Sequence, residues 1–256
     1  MRIISVVSGK GGVGKTTLVA GIGSILASEF GKKVLLVDCN MTTAHLGLYM
    51  GIESHPTTLN HVINSRTKAK EAVYEHFTGA FVMPSSLALK DLGGIDMANM
   101  KGVMSKIRRE FSDFDFVLLD CAPGFGREAM AGMRASEEVL FVTMPYLPSI
   151  MDIIKCGQVA SDLELKPLGL VVNMMKKDSH EMTMADIENI TDMKVLAEIP
   201  FHHDATKSLH ARIPITSHKP DSKVSRAIRK VSSEIAGLEY RGEEGIFIRL
   251  LKMFNR

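Results

Sequence analysis

The sequence predicts an α/β protein built on a doubly wound, mostly parallel sheet flanked by helices. Three observations carry that expectation. Seven short runs are apolar on consecutive residues rather than alternate ones, the pattern of strands covered on both faces. Helix-period segments separate most of these runs, and strand–helix alternation on this scale builds one doubly wound sheet. The first run leads into the glycine-rich stretch Gly9 to Thr16, and a helical pattern follows it.

In chain order, residues 3–7 are the first expected strand and 15–30 the first helix. The run 34–38 is the second strand. A helix near 57–64 comes next, with Thr57 as its candidate cap. A short strand at 81–84 precedes a longer helix near 95–111. The runs 116–120, 139–144, 168–173 and 195–199 supply the remaining strands. Helices near 126–136 and 149–161 lie among them, and one near 221–237, with Asp221 as candidate cap, closes the domain. A weak boundary at 237–245 divides the chain into an expected domain, 1–240, and a tail, 241–256.

Composition narrows the function classes. Lys and Arg number 31 against 29 Asp and Glu, a net charge of +2, so a basic surface has to be local rather than global. The three cysteines, Cys39, Cys121 and Cys156, form no CxxC, which argues against a disulfide scaffold and fits a reducing cytoplasm. No apolar run approaches the roughly 18 residues of a bilayer span. The N-terminus runs straight into the glycine loop, so no signal peptide is expected. Seventeen methionines and no tryptophan read as soft core packing.

Gly9 to Thr16 fits GxxxxGK[ST] between a strand and a helix. Glycines let backbone N–H groups turn inward without a Cβ clash, and the helix adds its positive end. Gly9, Lys10, Gly11, Gly12, Val13, Gly14, Lys15, Thr16 and Thr17 are therefore the expected phosphate cradle. Lys15 reaches β- and γ-phosphates, and the Thr16 hydroxyl ligates Mg²⁺. Asp120 ends a buried strand, where open α/β sheets bind ligands, and is placed to hold the metal through water. Gly124, four residues on, lets the backbone sense the γ-phosphate.

Lys10 is a second lysine at the tip of the loop, too far from the cradle to duplicate Lys15. With it, Gly9-Lys10-Gly11-Gly12-Val13-Gly14-Lys15-Thr16 resembles the deviant Walker A motif of the MinD/ParA family of ATPases. The likeness covers most of the chain and runs nearest to the family's MinD branch. The segment from Val37 to Gly51 resembles its first switch region, and Asp120 to Gly124 its DxxxG second switch. The resemblance implies Mg·ATP as cofactor and a homodimer formed with ATP. In that dimer Lys10 meets the partner's phosphates, and Asp38 joins Asp120 in the metal shell. Asn173 stands where relatives place an adenine-reading asparagine; an amide offers a donor and an acceptor together. An asparagine that merely starts a loop is the plainer reading. Pro200, with Phe201 beside it, and Pro214 resemble the segment that wraps the base, and the spacing between the two prolines fits that family's loop and helix.

The chain departs from the family where negative charge is expected. Asn40 replaces the second acid of a DxD pair that orients the attacking water. Asparagine holds a water but cannot take its proton. Phosphoryl transfer rests mostly on positioning, so slow turnover and a long-lived ATP state are expected. Tyr146 and His202 also stand where the MinD branch carries acids, and Asp152 remains to face a partner's lysine.

The tail, Ile246 to Arg256, places Arg249, Lys252 and Arg256 on one helical face and six bulky apolar residues on the rest. That is a short cationic amphipathic helix suited to an anionic membrane surface. Similar tails target MinD proteins to the inner face of the cell membrane; packing on the protein's own core is the alternative. The expected role is a positioning switch in cell division or organisation, with an unidentified regulatory or cargo protein. Rival readings are a DNA-partitioning protein, a flagellar-number regulator and a metallocentre-maturation ATPase. The first rests on Lys207, Arg212, Lys219, Lys223, Arg226, Arg229 and Lys230, more simply a solvated face. The last would use Cys121 near the dimer axis.

Overall fold

The computed structural model describes residues 1–52, 55–64, 67–91, 93 and 96–240. Consecutive apolar residues in each strand feed two separate cores, one on either face of a single sheet. In β1 (Arg2–Val7), Ile3 and Val7 enter one core while Ile4 and Val6 enter the other. The same division holds in β2 (Val34–Cys39), β5 (Phe116–Cys121), β6 (Glu138–Thr143) and β7 (Lys166–Met175). Such strands need apolar residues at every position, because each Val, Leu or Ile brought fully out of water contributes about 1.5–3 kcal/mol on either face.

The short strands β3 (Tyr74–Glu75) and β4 (Phe81–Met83) and the edge strand β8 (Val195–Pro200) complete the sheet. Its order is β3-β4-β2-β5-β1-β6-β7-β8, parallel except for the β3–β4 pair. The chain runs outward from β1 to β4, returns as β5 between β2 and β1, then continues as β6 on the other side. That reversal opens a crevice at the carboxyl ends of β1, β2 and β5, where doubly wound sheets bind ligands.

On one face pack α1 (Lys15–Ser28), α2 (Leu46–Tyr49), α9 (Ile215–His218) and α10 (Lys223–Ala236). On the other lie α3 (Leu59–Ile63), α4 (Met100–Glu110), α5 (Arg127–Arg134), α6 (Leu147–Asp162) and α7 (Met184–Thr191). The helix α8 (His203–Ala211) follows the end of β8. None of the described helices is long and apolar enough to cross a membrane.

All seven expected strands are present. The sequence missed β3, which at two residues is too short to show a period, and the helices α2, α7 and α9; α8 lies between Pro200 and Pro214, where the resemblance implied a loop and a helix. Both expected caps are displaced by one residue. Ser222, not Asp221, caps α10, its Oγ accepting from Ser225 N at 3.0 Å. Thr58, not Thr57, precedes α3, and its N–H donates to His61 Nδ1 at 3.2 Å. Thr57 is instead tied to Tyr74, whose hydroxyl donates to its carbonyl at 2.9 Å. The proposed tail, 241–256, lies outside the described residues.

Candidate nucleotide-binding site

The loop from Ser8 to Gly14 joins β1 to α1, with Gly14 at the N-cap. Two close approaches explain why glycine stands at its ends. Gly14 has φ +86°, and a Cβ there would lie 2.3 Å from Asn173 Nδ2. A Cβ on Gly9 would lie 2.3 Å from Asp152 Cβ on α6. Polar contacts then fix the loop. Asn173 Nδ2 donates to Val13 O at 2.7 Å, Ser8 Oγ donates to Lys10 O at 2.9 Å, and Gly124 N donates to Ser8 O at 2.9 Å. The Gly124 N–H expected to sense a γ-phosphate is thus bound to the loop itself.

Lys15 opens α1 and is buried, its Nζ 3.1 Å from Asp120 Oδ1 at the end of β5. Burial works most strongly against the ammonium charge, but the Asp120 charge and hydrogen bond, with Cys121 and Asp38 beside them, together raise the Lys15 pKa. Asp38 is the register neighbour of Asp120 on β2. Burial, then the Asp120 charge, pushes Asp38 up to about 8, against the backbone donors of Leu46 and Asn40. Both its oxygens accept from the backbone: Oδ1 from Asn40 N at 3.1 Å, and Oδ2 from His45 N at 3.1 Å and Leu46 N at 3.0 Å, which leaves one acceptor position on Oδ1. Asp38 therefore shapes the loop after β2 and starts α2. For a magnesium ion, the donor set is that of a site shared with substrate phosphates: one or two carboxylates and a hydroxyl, here Asp120, Asp38 and Thr16.

Two cavities meet at Gly14 and Thr17. The larger, about 330 Å³, is lined by Lys10 through Thr17 together with Asn40, Thr43, His45 and Tyr49. The smaller, about 110 Å³, is mostly apolar, with Asn173, Met174, Pro200, Phe201 and Leu209 in its wall. A polar cradle joined to an apolar slot with one buried amide suits a phosphate chain and a base. Phe201 is half exposed, with Lys176 Nζ 5.3 Å from its ring centre. His202 caps α8, its Nδ1 accepting from Asp204 N at 3.2 Å.

Most sequence-expected residues converge on this crevice: the loop, Asp38, Asn40, Asp120, Asn173, Pro200 and Phe201. Four expected residues are engaged within the chain itself. Asp152, expected to face a partner's lysine, has its Oδ2 3.5 Å from Lys10 Nζ of its own chain. Asn40 reaches the cavity with both amide ends engaged, Nδ2 donating to Thr43 O at 2.9 Å and Oδ1 accepting from Thr43 Oγ1 at 3.0 Å. Cys121 offers no open thiol to a metal. It is buried under α5, where a Cβ on Gly132 would come 2.5 Å from its Sγ, and burial pushes the thiol up to about 12. A metal-binding thiolate is disfavoured there. In the basic cluster, Arg229 is spent on Glu29, with two bonds of 2.7 Å.

The resemblance placed Thr43, His45 and Tyr49 in the first switch region but singled out none of the three as a site residue. It also overlooked Glu128 on α5, which accepts from Thr42 N at 3.3 Å and from the Thr42 hydroxyl, tying α5 to the loop after β2.

A ParA family model, described as NUBPL iron-transfer P-loop NTPase, matches residues 1–236. An uncharacterized ATP-binding protein of Methanocaldococcus jannaschii is 32% identical over 246 residues, covering 96% of this chain and 92% of that protein. The crystal structure of the cell division ATPase MinD of Pyrococcus furiosus is 33% identical with TM-score 0.88, covering 93% of this chain and 99% of the other. The septum site-determining protein MinD of Pyrococcus horikoshii, complexed with Mg-ADP, is 31% identical with TM-score 0.87, covering 91% and 95%.

Proposed function

Because the chain belongs to the MinD/ParA family of P-loop NTPases, we propose that it is a MinD-like ATPase whose assembly is switched by Mg·ATP. Lys15 and the loop amides hold the phosphates, Thr16 and Asp120 hold Mg²⁺ with Asp38 behind them, and Asn173, Pro200 and Phe201 receive the base. Two copies associate across the face that carries Lys10. Hydrolysis, slowed by the absence of an acid at position 40, releases them. The tail, Ile246 to Arg256, docks the dimer on the inner face of the cell membrane, where it positions an unidentified cargo. One such tail binds weakly, and two on a dimer gain effective concentration.

The observation that carries this reading is the setting of Lys10. It stands at the phosphate cavity with 45% of its side chain exposed, and among the described residues its ammonium is held only by the partly exposed carboxylate of Asp152. Exposed apolar residues adjoin, along the chain, the groups that hold the loop and its lysine: Phe125 follows Gly124, Met151 precedes Asp152, and Leu147 stands one turn earlier on α6. A releasable cation whose carboxylate partner has exposed apolar neighbours along α6 suits a second copy of the chain better than open water.

Sedimentation with Mg·ATP, Mg·ADP and no nucleotide tests it. Dimers are expected with Mg·ATP only, and Lys10→Ala leaves single chains while still binding nucleotide. Anionic vesicles should then pellet the ATP-bound wild type and release a chain ending at Gly245. Single chains at saturating Mg·ATP, with Lys10→Ala indistinguishable from wild type, refute the proposal.

A further inference from the structure

The family resemblance gives the residue at position 40 the attacking water. The geometry gives Asn40 a different task. Its amide donates to Thr43 O and accepts from Thr43 Oγ1, so it closes the loop after β2 upon itself. One lone pair on Oδ1 is left, and the hydroxyl of Thr43 is committed to the same clasp. The segment after β2 offers the phosphate cavity two other polar side chains, His45 and Tyr49.

His45 is the better placed. It stands at the N-cap of α2, and its N–H is fixed by Asp38 Oδ2 at 3.1 Å, so its backbone is held by the carboxylate behind the metal position. Its side chain is exposed and lines the phosphate cavity. The Tyr49 ring lies 6.2 Å away on the next turn, tilted by 34°, and limits where the imidazole can swing. An imidazole on a backbone fixed by the metal's neighbour and braced by an aromatic ring is a pre-set hydrogen-bond partner.

We infer that His45, not Asn40, positions the attacking water in this chain, with Tyr49 bracing its ring. The inference rests on the ATPase reading. In hydrolysis the water oxygen forms a bond to the γ-phosphorus while the bond to the bridging oxygen breaks, its electron pair leaving with ADP and the water's proton passing to the released phosphate. His45 accepts one hydrogen bond from that water and holds it in line; it is not asked to take the proton. Asn40 keeps the loop closed so that His45 faces the cavity.

The test uses the full-length chain, with phosphate release for kcat and KM and a fluorescent ATP analogue for affinity. For His45→Ala, kcat should fall by about 10²-fold, with KM, analogue affinity and melting temperature near those of wild type. His45→Gln, which restores an acceptor, should recover part of the loss. An unchanged kcat in His45→Ala overturns the inference. A parallel loss of affinity does so too, because His45 is then a binding or folding residue. Should the wild type bind ATP without measurable turnover, capture of Mg·ADP with aluminium fluoride replaces kcat as the readout. Capture by wild type that is lost in His45→Ala supports the role. Equal capture, or none by wild type, overturns it while leaving nucleotide binding intact. Failure of the wild type to bind ATP is a separate result that removes the ATPase reading and this inference with it.

Discussion

Lys15 Nζ lies 3.1 Å from Asp120 Oδ1, and both side chains are sealed from solvent. The loop lysine and the strand-ending acid thus neutralise each other. A triphosphate offers Lys15 another anion, and a magnesium ion offers Asp120 another cation, so loading the site is an exchange of partners rather than the filling of free charges. In Asp120→Asn the ammonium keeps its burial and loses its carboxylate. Breaking one side of a buried pair costs about 3 kcal/mol, so the nucleotide-free variant should melt well below wild type. ATP without Mg²⁺ should raise its melting temperature more than it raises that of wild type, and adding Mg²⁺ should contribute little further. Denaturation scans with ATP, with and without Mg²⁺, check both parts.

Gly14 is the hinge between the two cavities. Gly14→Ala puts an L-residue at φ +86°, which costs about 1–2 kcal/mol. It also drives a methyl to 2.3 Å from Asn173 Nδ2, against the 2.7 Å bond that this amide makes to Val13 O. ATP affinity should drop about tenfold or more, since 1.4 kcal/mol already gives a factor of ten. Gly12→Ala is the matched comparison: φ is +79° and the space beyond is open, so it carries backbone strain without the collision. Titration calorimetry should find Gly14→Ala clearly worse. Equal losses would mean that the Asn173 contact is unimportant.

The parts of this site legible in the sequence are those set by local chain chemistry. The loop, its flanking strand and helix, and the acids at strand ends follow from short-range pattern, because consecutive apolar runs and glycine spacing are local. The contacts between segments were not legible. Nothing in Asn40 or Thr43 as letters says that they clasp each other, and Asp152 sits more than 140 residues from Lys10. The helix α7 did leave a signal: Thr183, whose Oγ1 accepts from Asp186 N at 3.2 Å, has the S/T-x-x-D/E spacing of a helix start. The helix α8 left little, since Phe201 to Ala211 mixes charged, polar and apolar residues and its anchors are the base cavity and α9.

His76 is buried beside the β3–β4 turn, its Nδ1 2.8 Å from Thr78 Oγ1 and its Nε2 without a partner among the described residues. Burial lowers its pKa. The unfolded chain therefore takes up the proton first as pH falls through about 6.5. Stability is full above that value and declines below it, down to the folded pKa. His76→Asn removes the titration, so its melting temperature should show a shallower decline between about pH 7 and 5 than wild type. Identical profiles would place the acid sensitivity elsewhere.

Arg229 on α10 and Glu29 at the end of α1 form a two-bond clamp of 2.7 Å each, with side chains 12% and 25% exposed. The clamp joins the first helix to the last across the face that α1 and α10 cover. A bidentate, charge-assisted pair sheltered from water is worth about 2 kcal/mol, more than an exposed ion pair. Arg229→Ala should therefore lower unfolding stability by about that amount, and Arg229→Lys should restore only part, because an ammonium cannot fill both acceptor positions. A double-mutant cycle with Glu29→Gln should assign most of the loss to the pair. The same variants separate two roles for this helix. If Arg229 served a nucleic-acid surface, its removal would flatten the salt dependence of binding to duplex DNA. Engaged as it is with Glu29, its loss should change denaturant unfolding and leave that salt slope alone.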